Sequence, residues 1–124
     1  MNTILAVDDA AENLQILQSL LCDDYDIRLA KSGRLALLAL ERTTPDLILL
    51  DIEMPGMSGF DVLDVIIKND RMKKIPIIFL TAHASKEFVM EALKRGAKDY
   101  IVKPFEPDIL RDKITKALEG KQQP

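Results

Sequence analysis

Short apolar runs alternate with longer amphipathic stretches along the whole chain. Runs rich in Val, Ile and Leu predict strands over residues 3–7, 26–30, 46–50, 76–80 and 99–102. Apolar residues at helical spacing predict helices over about residues 11–22, 34–41, 58–68, 85–95 and 107–118. Strands that alternate with helices are typical of βα units, so the pattern predicts an α/β fold around a five-stranded parallel sheet.

Local signals mark where several of these elements begin and end. Pro55-Gly56 suits the middle of a type II turn, and Ser58 with Asp61 predicts a capping box that opens the third helix. Ser85 is expected to cap the fourth helix, which Gly96 ends.

The length of 124 residues fits one domain, which we expect to span residues 1–120, with 121–124 as a frayed tail or the start of a linker. The composition, with 48% hydrophobic and 30% charged residues, is typical of a soluble globular protein. No apolar run approaches the roughly 20 residues of a membrane helix, and no secretory leader is evident. The single cysteine, Cys22, agrees with a reducing compartment, so we expect a cytoplasmic location. A net charge of −3 argues against direct nucleic-acid binding.

Polar residues follow four of the five predicted strands at the points where they end. They are Asp8, Asp9, Asp51, Thr81 and Lys103. Because ligands bind at the carboxyl ends of the strands in an open α/β sheet, we expect these groups to form one site.

Three carboxylates at this edge require a cation, since each pair about 4 Å apart would repel by about 4 kcal/mol at an effective dielectric near 20. A site of oxygen ligands favours a hard ion, and a site that meets a phosphoryl group favours Mg²⁺, for which Mn²⁺ can substitute. The Thr81 hydroxyl, the backbone N–H after it and the Lys103 ammonium can hold phosphoryl oxygens. One carboxylate can then attack an activated phosphate, giving an acyl phosphate that water removes.

Each of these residues also has a simpler interpretation when it is taken alone. Asp9 can cap the first helix and Asp51 a turn, while Lys103 can be a solvated lysine. The phosphorylation site is favoured because capping does not require all of these groups on one edge.

With these residues in place, the chain resembles the receiver domains of two-component response regulators over essentially its whole length. Four motifs carry the resemblance: Val7-Asp8-Asp9, the run from Leu50 to Gly59, Leu80-Thr81-Ala82, and the run from Tyr100 to Phe105. The resemblance implies a flavodoxin-like (βα)5 fold, doubly wound with helices on both faces and strand order 2-1-3-4-5.

The resemblance also implies a role for each matching residue. Asp51 would be the phosphoacceptor, Asp9 a direct metal ligand, Asp8 an acidic neighbour acting largely through water, and the Glu53 carbonyl a further metal ligand. Thr81, the Ala82 N–H and Lys103 would bind the phosphoryl oxygens, and the Lys103–Pro104 bond would be cis.

Two further positions have both a functional and a structural interpretation. Tyr100 matches the family's switch aromatic, which turns inward when Thr81 moves toward the phosphate, but it can also simply fill the core. His83 and Glu53 border the phosphoryl group in the family, and we hypothesise that they tune its lifetime. For His83 alone, a loop residue beside the site is the simpler interpretation.

The resemblance implies a sensor histidine kinase or a histidine phosphotransfer protein as the phosphodonor. The output face in the family is formed by the fourth helix, fifth strand and fifth helix, here residues 85–95, 98–102 and 107–118. Either a separate protein or an output domain of a longer regulator would respond to it. A phosphorylation-dependent homodimer through this face is a further option, with Glu91, Lys94, Arg95, Asp99 and Arg111 available for pairing. The domain would modify itself rather than turn over a substrate.

Three rival functions are separable from this one. A Mg²⁺-dependent phosphohydrolase of the haloacid-dehalogenase type would carry Asp-x-Asp and a cap domain, whereas Asp8 and Asp9 are adjacent. A flavodoxin-like flavin binder would have a phosphate loop rich in Ser, Thr and Gly, whereas this loop is acidic and would repel an anion. A receiver that no longer accepts phosphate would lack a core group, and all of them are present.

Overall fold

A computed structural model describes residues 1–83 and 85–122 of the chain, in which five strands alternate with five helices. The strands are β1 Thr3–Val7, β2 Asp26–Ala30, β3 Leu47–Asp51, β4 Ile77–Thr81 and β5 Asp99–Val102. The helices are α1 Ala11–Leu21, α2 Gly33–Arg42, α3 Gly59–Ile67, α4 Lys86–Lys94 and α5 Pro107–Gln122.

The strands form one parallel sheet in the order β2-β1-β3-β4-β5, which confirms the predicted fold class and topology. β2 lies at an edge, as its alternating sequence predicted, and is partly exposed along most of its length. β3 is central and every one of its residues is buried. A central parallel strand is covered by helices on both faces, which explains its continuous apolar run.

Alternate residues of the strands supply two hydrophobic cores, one on each face of the sheet. Leu5 and Leu50 point into the core that contains residues of α2, α3 and α4. Ile4 and Leu49 point into the core that contains residues of α1 and α5. Because successive side chains of a strand point to opposite faces, one short apolar run serves both cores.

The helix and strand ends differ from the predictions by one or two residues in several places. β3 and β4 each begin and end one residue later than predicted, so that Asp51 and Thr81 are their last residues. Both residues have cross-strand partners there, since Asp51 pairs with Leu80 and Thr81 with Val102.

Side-chain caps account for three of the helix starts. The capping box of Ser58 and Asp61 is present at α3, and the Ser85 side chain accepts the N–H of Phe88 at α4. Ser32, which the sequence analysis did not identify, caps α2, so this helix starts one residue earlier than predicted. A cap accepts an N–H that would otherwise lack an intrahelical partner.

α5 continues to Gln122, past the Leu118 that ended its predicted pattern. The division of the chain at residue 120 therefore stays a prediction, and residues 123–124 of the predicted tail lie outside the described residues. No helix in the described part of the chain is long and apolar enough to cross a membrane.

Candidate functional site

Within the described part of the chain, the buried polar residues are Asp8, Asp51 and Thr81. Each lies at the carboxyl end of a strand: Asp8 directly after β1, and the other two as the last residues of β3 and β4. Burying a charged or polar side chain costs free energy unless partners compensate for the lost water. Their clustering at one edge of the sheet therefore marks this edge as the candidate site.

Asp8 is fully buried and is held by three donors. Its Oδ1 accepts the backbone N–H of Ala10 at 2.9 Å. Its Oδ2 accepts the Asn13 side-chain amide at 3.1 Å and the Lys103 ammonium at 2.9 Å. These bonds fix the orientation of the carboxylate and compensate for its burial.

Lys103 bridges the two buried carboxylates. Its Nζ lies 2.9 Å from Asp8 Oδ2 and 3.0 Å from Asp51 Oδ1. Burial by itself would lower the pKa of this lysine, but its hydrogen bonds to Asp8 and Asp51 prevail and raise it. The ammonium therefore stays charged and offsets the repulsion between the carboxylates.

Asp51 is 2% exposed, and burial raises its pKa from 3.8 to about 7. The hydrogen bond from Lys103 opposes this shift, whereas the charge of Asp8 adds to it. Oδ1 also accepts the N–H of Glu53 at 3.3 Å. A carboxyl group with such a perturbed pKa at a sheet edge is a candidate reactive group.

The loop after Asp51 depends on two glycines. Gly56 has φ +78°, which is the left-handed conformation that the third position of a type II turn requires. Gly59 begins α3 against the end of β3, where a Cβ atom would lie 2.5 Å from the Asp51 carbonyl oxygen. The N–H of Gly59 also donates to the Ile52 carbonyl at 2.8 Å. The absence of a side chain at Gly59 thus lets the start of α3 pack directly against the backbone of Asp51 and Ile52.

Asp9 completes an acidic cluster, as the sequence predicted. One oxygen from each of Asp8, Asp9 and Asp51 lies within 4.8 Å of the others, and Asp9 is the exposed member. The donors are all carboxylate oxygens, which is the chemistry that Mg²⁺ prefers and that Zn²⁺ sites, rich in nitrogen and sulfur, do not share. The residues present therefore fit a magnesium ion.

The Thr81 hydroxyl is bound to the backbone two residues further along the chain. It donates to the His83 carbonyl and accepts the His83 N–H, each at 2.9 Å. Thr81 lies beside Asp51 in the sheet, because β3 and β4 are paired. A move of this hydroxyl toward a group on Asp51 would break both bonds to His83.

The side chains of His83 and Glu53 meet at the rim of the site. His83 Nε2 lies 3.1 Å from Glu53 Oε1, and both side chains are more than half exposed. Ala82, whose N–H was predicted to bind a phosphoryl oxygen, is exposed beside them. The two residues that the sequence analysis grouped are thus in contact, although their function stays a prediction.

Tyr100 is partly buried and packs against the core on the α2, α3 and α4 face. It is paired with Phe79 in the sheet. The Lys113 ammonium lies 4.2 Å from the ring centre and donates to the Tyr100 carbonyl at 2.6 Å. These contacts agree with core packing, and the switch role of Tyr100 stays a prediction.

The Lys103–Pro104 peptide bond is cis, as the resemblance implied. Lys103 is also held at its backbone, where its N–H donates to the Thr81 carbonyl at 2.8 Å. Asn13, by contrast, was missed by the sequence analysis. Its position near Asp8 depends on the angle at which α1 leaves the sheet, so the sequence carries no direct signal for the contact.

A sequence model of the family described as "Response regulator receiver domain" matches residues 4–115. Among curated proteins, the chemotaxis protein CheY of Pseudomonas aeruginosa is 36% identical over 118 residues, which are 94% of this chain and 95% of that protein. A probable cyclic di-GMP phosphodiesterase of Vibrio cholerae is 38% identical over 120 residues, which are 97% of this chain.

The chain spans 27% of that phosphodiesterase, so it matches only about a quarter of this longer relative. Solved structures agree with the sequence matches. Vibrio cholerae CheY4 superposes with a TM-score of 0.89 at 33% identity, covering 94% of this chain and 98% of that one. The signal receiver domain of a histidine kinase from Syntrophus aciditrophicus gives 0.90 at 30% identity, covering 100% and 95%.

Proposed function

The chain belongs to the response regulator receiver domain family, and we propose that Asp51 is the residue that accepts the phosphoryl group. The phosphoacceptor role in two-component signalling is the general function of this family. The observation that carries the assignment is the burial of Asp51 at the end of β3, with Lys103 bonded to its Oδ1 and Asp8 and Asp9 beside it.

The structure supports a direct attack by Asp51 on the phosphorus atom. Both of the hydrogen bonds described above, from Lys103 and from Glu53, go to Oδ1, which leaves Oδ2 to attack. A bond forms between Oδ2 and phosphorus while the phosphorus–nitrogen bond of a donor phosphohistidine breaks. The imidazole leaves with the electron pair and takes up a proton, and an acyl phosphate remains on Asp51.

Mg²⁺, for which Mn²⁺ can substitute, would supply charge neutralisation for the carboxylates and the transferring group. Asp9, Asp51 and the Glu53 carbonyl would hold it directly, and Asp8 largely through water. Asp51 must be ionised to attack, and a cation beside it favours the ionised form.

After transfer, Lys103, the Thr81 hydroxyl and the Ala82 N–H would hold the phosphoryl oxygens. Lys103 already lies 3.0 Å from Asp51, so a small movement brings it to a group on that residue. Water then attacks phosphorus, the bond to Asp51 breaks, and inorganic phosphate leaves. The domain thereby modifies and restores itself, and we infer that it is not an enzyme that turns over a separate substrate.

The contact between Glu53 and His83 supports their proposed role in setting the phosphoryl lifetime. Both side chains of the pair are more than half exposed, and the Glu53 N–H donates to Asp51 Oδ1, so the pair is close enough to Asp51 to affect the access of water. His83→Ala removes the contact, and we expect a changed half-life of the phosphorylated form, followed by intact mass after the donor is removed. Equal half-lives for the variant and the wild type would contradict this role.

The new charge on Asp51 would bias Thr81 away from the His83 backbone and Tyr100 toward the core. The elements of the proposed responding face, α4, β5 and α5, include exposed apolar side chains that a protein partner could cover: Met90, Leu93, Val102 and Ile109. Receiver domains of response regulators interact with histidine kinases and output domains. We propose a sensor kinase or histidine phosphotransfer protein as the donor, a partner protein or output domain as the target, and a cytoplasmic location.

A homodimer held by charge pairs through this face has less support from the structure. Glu91 is bonded to Arg95 at 2.8 Å, and Asp99 to Lys113 at 3.1 Å, both within the same chain. Arg111 donates to the Leu20 carbonyl at 3.3 Å. Most of the charges that were candidates for pairing between subunits thus have partners already.

The decisive experiment is the intact mass of the protein after incubation with Mg²⁺ and a small acyl phosphate. The wild type should gain one phosphoryl group, which Asp51→Asn should not gain. Asp46→Asn is the matched control, because it makes the same change directly before β3, at the opposite end of the strand from Asp51. It should be labelled like the wild type. Equal labelling of Asp51→Asn and the wild type would overturn the assignment.

A further inference from the structure

The Asn13 side chain reaches from the first turn of α1 back to the buried Asp8 carboxylate. Its Nδ2 lies 3.1 Å from Asp8 Oδ2, the same oxygen that accepts the Lys103 ammonium. Asp8 is fully buried, so each of its donors replaces a water molecule that the carboxylate has lost. Asn13 therefore supports the site indirectly, through its hydrogen bond to the Asp8 carboxylate.

The backbone of this first turn is tightly held, so the amide is presented in a fixed place. The N–H of Asn13 donates to the Ala10 carbonyl at 3.1 Å, and the N–H of Ala10 donates to Asp8 Oδ1 at 2.9 Å. Ala10 is the N-cap of α1 and offers no side-chain cap. The start of α1 thus donates a hydrogen bond to each oxygen of the Asp8 carboxylate, from the Ala10 N–H to Oδ1 and from the Asn13 amide to Oδ2.

The two donors on Asp8 Oδ2 differ in charge and in their other contacts. Lys103 is shared with Asp51, so a phosphoryl group that draws its ammonium away would leave Asp8 Oδ2 with one donor fewer. The Asn13 amide donates to Asp8, so a phosphoryl group on Asp51 would not draw it away as it draws Lys103. Because the amide is neutral, it holds the carboxylate without cancelling the negative charge that a divalent cation needs.

We propose that Asn13 is a positioning residue of the site, whose amide fixes the Asp8 carboxylate for a divalent cation while Lys103 moves. The proposal rests on the proposed function, because that function requires Mg²⁺ beside Asp8. Removing a group that hydrogen-bonds to a metal-site carboxylate, without touching the metal itself, typically lowers metal affinity by about 10- to 100-fold.

The test is calorimetric titration of the 124-residue chain with Mg²⁺ alone. Asn13→Ala should bind Mg²⁺ roughly tenfold more weakly than the wild type. Gln15→Ala is the matched control, since it removes an exposed amide from the same helix, and its affinity should stay within about twofold. The rate of Asp51 labelling by a small acyl phosphate should fall in Asn13→Ala at low Mg²⁺ and recover at saturating Mg²⁺.

A merely structural role of Asn13 would give different results. Alanine forms helices better than asparagine does, so Asn13→Ala does not weaken α1 itself. Thermal unfolding without Mg²⁺ reports any loss of folding separately from the loss of affinity. Asn13→Gln keeps the amide donor and should bind Mg²⁺ more tightly than Asn13→Ala does.

Two results would overturn the proposal: wild-type affinity in Asn13→Ala, or equal losses in Asn13→Ala and Asn13→Gln. Failure of the proposed function looks different, because the wild type would then take up no phosphoryl group while the Mg²⁺ titrations still rank the variants. If Asp51 is labelled and Asn13→Ala binds Mg²⁺ normally, only the role of Asn13 fails.

Discussion

Aspartates lie at both ends of the parallel strands, at the edge of the sheet where the strands begin and at the edge where they end. Their surroundings differ. At the edge where the strands begin, Asp46 accepts the Thr3 N–H at 2.8 Å, and Asp26 is paired with Arg28 at 3.0 Å. The Arg28 and Asp26 side chains are 64% and 46% exposed. At the edge where the strands end, Asp8 and Asp51 are 0% and 2% exposed.

Burial, more than the presence of charge, separates the two edges. An exposed pair keeps much of its water and contributes only about 0–1 kcal/mol to folding. Two buried carboxylates that share one ammonium have lost that water and repel each other, so their edge is less stable than it would be with neutral residues. The structure tolerates this cost where chemistry requires a reactive carboxylate and a cation.

The largest contrast between the edges should be in the pH dependence of stability without metal. Unfolded Asp51 loses its proton near pH 3.8, whereas folded Asp51 keeps it until about pH 7. Between these values the folded state binds more protons, so the free energy of unfolding falls as pH rises, by about a few kcal/mol in all. Denaturant unfolding with a chelator at pH 4 to 8 measures this.

Asp51→Asn should remove this decrease and be more stable than the wild type at pH 8. If Asp51→Asn followed the same pH profile as the wild type, buried Asp51 would not be the source of the pH dependence, and this contrast between the two edges would be wrong.

The second contrast is the loss of one cation from each edge. Lys103→Ala leaves two buried carboxylates without their shared ammonium and should destabilise the metal-free protein by about 3 kcal/mol. Arg28→Ala breaks an exposed pair and should cost less than about 1 kcal/mol. Denaturant unfolding at pH 8 compares them, and equal losses would show that burial does not distinguish the pairs.

The smallest contrast is the response to Mg²⁺. An ion that binds the folded state at ten times its Kd stabilises the protein by about 1.4 kcal/mol, which raises the melting temperature. Asp9→Asn should reduce this shift, because Asp9 contributes to the acidic cluster, and Asp46→Asn should leave it unchanged. An undiminished shift in Asp9→Asn would place the ion elsewhere.

Much of the fold could be predicted because its signals are local. Alternating apolar runs identified all five strands, and three of them, β1, β2 and β5, have the predicted bounds. Asp8, Asp9, Asp51, Thr81 and Lys103 were expected at one edge from their positions after the strands. Helix ends were less accurate where a side-chain cap, such as Ser32, was not recognised.

The remaining features depend on distances between residues far apart in the chain. By itself, the sequence determined which groups end the strands, because residue order and hydrophobic periodicity are read directly from it. The tertiary structure decided that Lys103 bridges Asp8 and Asp51, that burial raises the pKa of Asp51, and that Asn13 supports Asp8. Hydrogen-bond geometry and the loss of water arise only when the packed elements bring these groups together.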